Sequence, residues 1–262
     1  MAGVRPADRE PKPAADVYIL SYPKTGRTWL RALVGKALVD HYGLPPQRLL
    51  ETGALTEMAG LPRADFYHDG SAMIDALHWR ELDATKASYR GKRVLLLGRD
   101  VRDTLVSAYF QATRRVDTFD GPIAAFVRDE RYGVEKVLAF YRQWETARRV
   151  PDAFAFQRYE AMHEDPAASL RTTLDFLGAR DVPDRVIADA VDFSRFENLR
   201  RAEAEDRFGS HMLRTPSNAD PESFKVRKGK VGGFREYLSN DDVAYIDAAE
   251  SARGCAFTRS SS

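Results

Sequence analysis

The sequence predicts an α/β protein, a single three-layer α/β/α domain around a mainly parallel central sheet. Two runs carry that prediction: "DVYILS" (16–21) and "KRVLLLGRD" (92–100) are short, apolar and β-rich, and each leads at once into a helical pattern. The third observation is continuity. No repeat, low-complexity tract or linker divides the 262 residues, and a chain of that length hides roughly 70–75% of its unfolded surface in one core. The domain is expected to span 16–262, with the polar, proline-containing stretch 1–15 as a flexible tail.

The elements follow in order. Residues 16–21 read as a buried strand. Leu30, Leu33, Val34, Ala37 and Leu38 then fall on one helical face, which ends near Gly43 and Pro45. "ADFYHD" (64–69) reads as a short strand and 92–100 as a stronger one. "RDVRDTLVSAYFQATRR" continues from it as a helix, with Asp100 placed as N-cap and Asp103 as an N3 residue. Residues 134–149 form a helical pattern, "DAFAFQRYE" (152–160) a strand, and 167–177 and 183–191 two more helices. The polar segment 199–224, with Gly209, Pro216 and Pro221, reads as a long loop. A last helix is expected over 240–252 with Asn240 as its N-cap.

Forty Lys and Arg against 39 Asp and Glu leave a net charge of +1, which argues against a dedicated nucleic-acid binder. The one cysteine, Cys255, excludes an internal disulfide and a cysteine-based zinc site. It also points to a reducing, cytoplasmic location. The N-terminus lacks a secretory pattern, and no apolar run approaches the ~18 residues that cross a bilayer.

"YPKTGRTW" (22–29) stands where a strand meets a helix N-terminus. Such a turn offers unpaired N–H groups and the positive end of the helix dipole to an anion. Gly26 allows close backbone approach, Thr25 and Thr28 supply hydroxyls, and Lys24 supplies a charge; the alternative is a proline-stiffened turn whose lysine faces water. The lysine precedes the glycine, so this is not the Walker A order G-x-x-x-x-G-K-[ST].

The turn instead resembles the 5′-phosphosulfate-binding loop Y-P-K-[ST]-G-[TS]-[TS]-W of the sulfotransferases, which use 3′-phosphoadenosine 5′-phosphosulfate (PAPS) as donor. Arg27 stands where many members carry a small hydroxyl residue, and counts as an additional contact. Further strings fall in the family's order. "LLLGRDVRDTLVSAYFQ" resembles the 3′-phosphate motif through Arg99 and Ser107, although Arg99 alone could equally be a structural partner of Asp103. "QRYEAM" supplies Tyr159. "DFSRFENLR" supplies Ser194 and Phe196. "KVRKGKVGGFREYLS" matches the R-K-G-x-x-G signature at Arg227, Lys228, Gly229 and Gly232, with Gly233 and Phe234 departing from it.

The chain is thus identified as similar to cytosolic-type sulfotransferases, bacterial members in particular. The resemblance implies a P-loop-like phosphosulfate loop, PAPS as donor without a metal, and a purine held between Trp29 and Phe196.

Two roles are expected to be catalytic. Lys24 would neutralise the departing 5′-phosphate, and a histidine would serve as base towards the acceptor hydroxyl. His68, at the end of the short strand, is preferred over His78, which lies in a more helical pattern. Phe66 occupies the position of a second lysine found in many relatives. The segment 199–224 is the candidate lid. Leu44, Leu61, Phe66, Phe119, Phe126 and Tyr132 suggest a partly apolar small-molecule acceptor, with a hydroxyl or amine to receive the group. The rivals are a P-loop small-molecule kinase and a non-catalytic nucleotide-binding protein. The first lacks its Gly-Lys-Ser/Thr string; the second would have signalled itself by losing Lys24 or every candidate base.

Overall fold

The computed structural model describes residues 10, 12–208, 224 and 229–259. Four strands, β1 (Val17–Ser21), β2 (Ala64–Tyr67), β3 (Arg93–Gly98) and β4 (Ala153–Arg158), form a sheet in the order β2-β1-β3-β4. Every pairing is parallel, and the register sets Leu20 opposite Tyr67, Ser21 opposite Leu97 and Gly98 opposite Arg158. Their carboxyl ends therefore finish together on one edge.

Period-two alternation divides the strands between two cores. Tyr18, Leu20, Val94 and Leu96 face α3 (Val101–Arg114), α5 (Val134–Ala147) and α10 (Asn240–Arg253), with α4 (Ile123–Arg128) packed alongside. Val17, Ile19, Leu95 and Leu97 face α1 (Arg27–Tyr42), α2 (Thr52–Met58), α7 (Pro166–Leu177), α8 (Asp184–Phe193) and α9 (Phe196–Ala204). α6 (Tyr159–Glu164) adds Met162 to that side. The result is the expected α/β/α sandwich, with β1 fully buried along its length.

Several boundaries move. The fourth strand ends at Arg158, so Tyr159 opens α6 and does not close the strand. α10 is capped by Ser239, whose hydroxyl accepts from Asp242 N while the Asp242 carboxylate answers Ser239 N; Asn240 is its first helical residue. The expected loop 199–224 begins as helix, because Leu199 and Ala202 form an apolar stripe that packs into the core. Residues 209–223 of that candidate lid lie outside the described residues. The N-terminal stretch is packed where it is described: Ala15 joins the core, and the Lys12 ammonium lies 3.5 Å from the Tyr89 ring centroid.

Candidate active site

A cavity of about 980 Å3 opens beyond the carboxyl ends of the strands, where ligands of open α/β sheets bind. Lys24, Gly26, Arg27, Thr28, Trp29, His68, Arg99, Ser107, Tyr159, Ser194, Phe196 and Gly229, all expected from the sequence, line it.

The turn between β1 and α1 needs two left-handed residues, Lys24 (φ 73°) and Gly26 (φ 93°). Arg99 Nη1 donates to the Lys24 carbonyl at 3.1 Å and pins the first of them. At the second, a Cβ would stand 2.5 Å from the Tyr159 ring, so only glycine lets α1 start there. The Thr25 hydroxyl points inward and donates to the Tyr22 carbonyl at 2.9 Å. It braces the turn, which leaves the Thr25 backbone as its route to an anion. The first-turn N–H groups of α1 have no acceptor within the helix and face the same space.

Arg99 continues from β3, and Asp100 caps α3 as expected by accepting from Arg102 N and Asp103 N. The Arg99 guanidinium lies 4.4 Å over the Tyr159 ring, donates to the Lys230 carbonyl at 3.0 Å and stands 3.8 Å from Asp103 Oδ2. Arg99 thus partners Asp103 and also lines the cavity. Asp103 does more than the helix position suggested. Its carboxylate accepts from Gly232 N at 2.7 Å and Phe234 N at 2.9 Å, tying the C-terminal segment to α3. Burial pushes that carboxyl up, opposed by Arg99 and the two N–H groups.

Gly229 (φ 61°) lies against Phe196, whose ring a Cβ there would approach to 2.6 Å. Arg227 and Lys228 fall outside the described residues. Two polar atoms at this end, Arg99 Nε and Ser194 Oγ, are buried without a hydrogen-bond partner. An orphaned guanidinium N–H and an orphaned hydroxyl on one cavity suit the oxygens of a phosphorylated nucleoside. His163 was missed by the sequence reading. One helical turn after Tyr159, it hydrogen-bonds the Tyr159 hydroxyl at 3.0 Å and packs 5.0 Å from the Trp29 ring. Burial, and Arg99 beside it, push its pKa down.

His68 follows β2 and is held from three sides. Its Nδ1 lies 2.9 Å from the Ser21 carbonyl. A carbonyl can only accept, so Nδ1 carries the proton and Nε2 is the basic nitrogen of the neutral ring. Its N–H donates to Glu10 and its carbonyl accepts from the Ser71 hydroxyl at 2.6 Å. The next residue, Asp69 (φ 51°), is fixed by Lys86 Nζ at 2.7 Å, the Tyr89 hydroxyl at 2.7 Å and Trp144 Nε1 at 3.0 Å. His78 lies off the cavity. It caps a short 3-10 turn, and its Nε2 stands 3.0 Å from Glu130.

Pro13, Phe66, Met73 and Ile74 give the cavity its apolar wall near His68. Of the six residues expected to suggest an apolar acceptor, only Phe66 lines it. Phe119, Phe126 and Tyr132 pack among themselves in the core, and Leu44 and Leu61 pack on the opposite one. Glu10, read from sequence as part of a tail, pairs with Arg27 at 3.5 Å. Burial raises the Glu10 carboxyl and lowers the Arg27 guanidinium, and their mutual attraction opposes both shifts. Arg31, a turn further along α1, also lines this wall. Its spacing of four from Arg27 was the signal that could have found it. Among the described residues no cluster of His, Cys, Asp and Glu could hold a metal, and no helix is long and apolar enough to cross a membrane.

Residues 14–251 match the sulfotransferase domain. Cytosolic sulfotransferase 17 of Arabidopsis thaliana is 26% identical over 94% of this chain and 77% of its own length. Flavonol 3-sulfotransferase of Flaveria bidentis is 24% identical over 88% and 79%. Among solved structures, a mouse sulfotransferase complexed with PAP superposes with a TM-score of 0.61 at 22% identity, covering 92% of this chain and 85% of that one. Retinol dehydratase in complex with androsterone and PAP gives 0.63 at 17%, covering 96% and 84%. A match over nearly the whole chain, on a fold whose phosphate turn sits at the sheet's crevice, places this protein in the sulfotransferase domain family.

Proposed function

We propose that the protein transfers a sulfuryl group from PAPS to the hydroxyl of a partly apolar small molecule, with Lys24 and His68 as its catalytic residues. The single observation that carries the assignment is the convergence, on one cavity, of the left-handed Lys24–Gly26 turn, the Arg99 and Ser194 orphan atoms, and His68. PAPS supplies a transferable sulfuryl group on a phosphate leaving group. The chain's own residues supply position and charge. Lys24, the N–H groups opening α1 and Thr28 are set to receive negative charge at the 5′ end, where fixed donors in a water-poor cleft act with least reorganisation. Arg99 and Ser107 hold the 3′ end, joined by the Arg227–Lys228–Gly229 segment. Trp29 and Phe196 take the purine, and Tyr159 serves as the platform that locks Arg99 over the turn.

His68 takes the acceptor proton on Nε2, since Nδ1 is committed to the Ser21 carbonyl. The Asp69 anchor and Glu10 fix the backbone that carries the ring, and the Ser21 carbonyl holds the ring itself. Phe66, Met73 and Ile74 exclude water and favour an apolar acceptor body. The Arabidopsis relatives are named cytosolic sulfotransferases and the Flaveria ones flavonol sulfotransferases. A hydroxylated aromatic acceptor, met in the cytosol, fits that kinship.

Calorimetry with PAP and with adenosine monophosphate tests the donor assignment. A preference for PAP of roughly 10-fold or more is expected from one additional charge-assisted phosphate site. Equal affinities would end the assignment.

A further inference from the structure

The acceptor side of the cavity carries a cation that sulfuryl transfer does not require. Arg31 lines the cavity, is 9% exposed, and lies with its guanidinium 4.4 Å over the Phe66 ring. Stacking on an aromatic face leaves the edges of the fork open to a planar anion. The acids nearby are committed elsewhere. Asp65 pairs with Arg63 at 3.0 Å, and Glu10 pairs with Arg27 at 3.5 Å while accepting from His68 N. No acceptor among the described residues hydrogen-bonds Arg31. Burial, with Arg27 adding repulsion, outweighs the pull of Asp65 and Glu10 and draws its pKa down to about 9, so the group stays charged at neutral pH yet is poorly compensated. A buried cation in that state is costly unless a ligand completes it.

Its location suits a ligand that also reaches the base. Phe66 and His68 lie two residues apart, at the end of β2 and just after it, and both line the cavity with Arg31. One small molecule can therefore set an anionic group on Arg31 and a hydroxyl at His68.

We propose that Arg31, stacked on Phe66, is an acceptor-recognition residue that binds a carboxylate, so that the acceptor class is hydroxylated, partly apolar acids. The inference rests on the sulfotransferase reading of the cavity and narrows its acceptor.

The test compares matched acids and amides: 4-hydroxybenzoate, 4-hydroxyphenylacetate and 3-(4-hydroxyphenyl)propanoate, each beside its primary amide. Two quantities are read, kcat/KM with PAPS and affinity for the PAP-saturated protein. At least one acid should be preferred over its amide by roughly 10–100-fold, the range of a hydrogen-bonded ion pair. Arg31→Met should abolish that ratio and Arg31→Lys should restore part of it. Three results overturn the proposal: no preference in any pair (absence of binding by every compound included), a preference that survives Arg31→Met, or equal losses on acid and amide. The last would assign Arg31 to the donor or to structure. If Arg31→Met fails to fold, the wild-type ratio and its change in Arg31→Lys decide. Failure of the donor reading shows separately, as equal affinity for PAP and adenosine monophosphate.

Discussion

The two ends of the cavity are built in different ways. The donor end is local. Eight consecutive residues make the turn from β1 into α1, and Arg99 arrives on the neighbouring strand in a register fixed by parallel pairing. The acceptor end is assembled from residues far apart in the chain: Glu10 before the first strand, Arg31 on α1, Phe66 on β2, His68 just after it, and Met73 and Ile74 beyond. A backbone that must hold an anion constrains residues in sequence order, because φ > 0 and close approach are local demands. A pocket wall constrains only what meets in space. One end therefore carries a motif and the other does not.

The comparison breaks first at the base. His68→Ala should lower transfer to an alcohol by roughly 10²–10⁴-fold, the usual contribution of a positioned base, while His78→Ala, engaged with Glu130 away from the cavity, should stay near wild type. Initial rates with labelled donor measure both. A large loss in His78→Ala would move the chemistry away from β2. At the donor end, Lys24→Ala should lower turnover by roughly 10²–10³-fold, the scale of one lost charge-stabilising donor. Single-turnover measurement separates that loss from weaker donor binding, and near-normal turnover would return Lys24 to an ordinary turn residue.

Gly26→Ala sharpens the claim that the donor end is a backbone device. The left-handed conformation and the Tyr159 ring 2.5 Å from the new Cβ should together cost roughly 2–4 kcal/mol. Because that ring carries Arg99, PAP affinity should fall along with thermal stability. A stable variant with unchanged PAP affinity would show that the ring is free to yield.

The same contrast governs what the sequence disclosed. β1, β3, α1, α3 and α5 are long or strongly periodic enough to read directly. α2 and α4, of seven and six residues, are too short to show a helical period. α2 also contains Gly53, a poor helix former whose place follows from the Asp65 carboxylate lying where its Cβ would go. α9 hides in a polar run because only Leu199, Ala202 and Glu203 of its face are buried. In the site, the turn, Arg99 and the His68 strand end were legible. Glu10, Arg31 and His163 were not, since each gains its meaning from a partner on another element or a helix that the sequence did not reveal.

The smallest effect concerns two buried lysines that sequence alone cannot tell apart. Lys86 and Lys136 are both wholly inaccessible. Lys86 donates to Asp69 at 2.7 Å and so helps to hold the His68 turn. Lys136 Nζ has no hydrogen-bond partner and lies 6.0 Å from the Tyr132 ring centroid. Burial draws the Lys136 pKa down to about 8, although Asp75, Asp129 and Glu81 pull the other way. The sign of the pH effect follows. Between about pH 8 and the ordinary value of 10.5 the unfolded chain holds a proton on this lysine that the folded chain has released, so wild-type stability from this group rises with pH. Lys136→Met should stabilise the fold at pH 7 by roughly 1–3 kcal/mol, because it removes an unpaired buried charge at similar volume. That advantage should shrink as pH climbs towards 10.5. Urea denaturation of both proteins at pH 7 and pH 10 measures it. A variant less stable than wild type at pH 7 would mean that the folded protein compensates the Lys136 ammonium after all, as Asp69 does for Lys86.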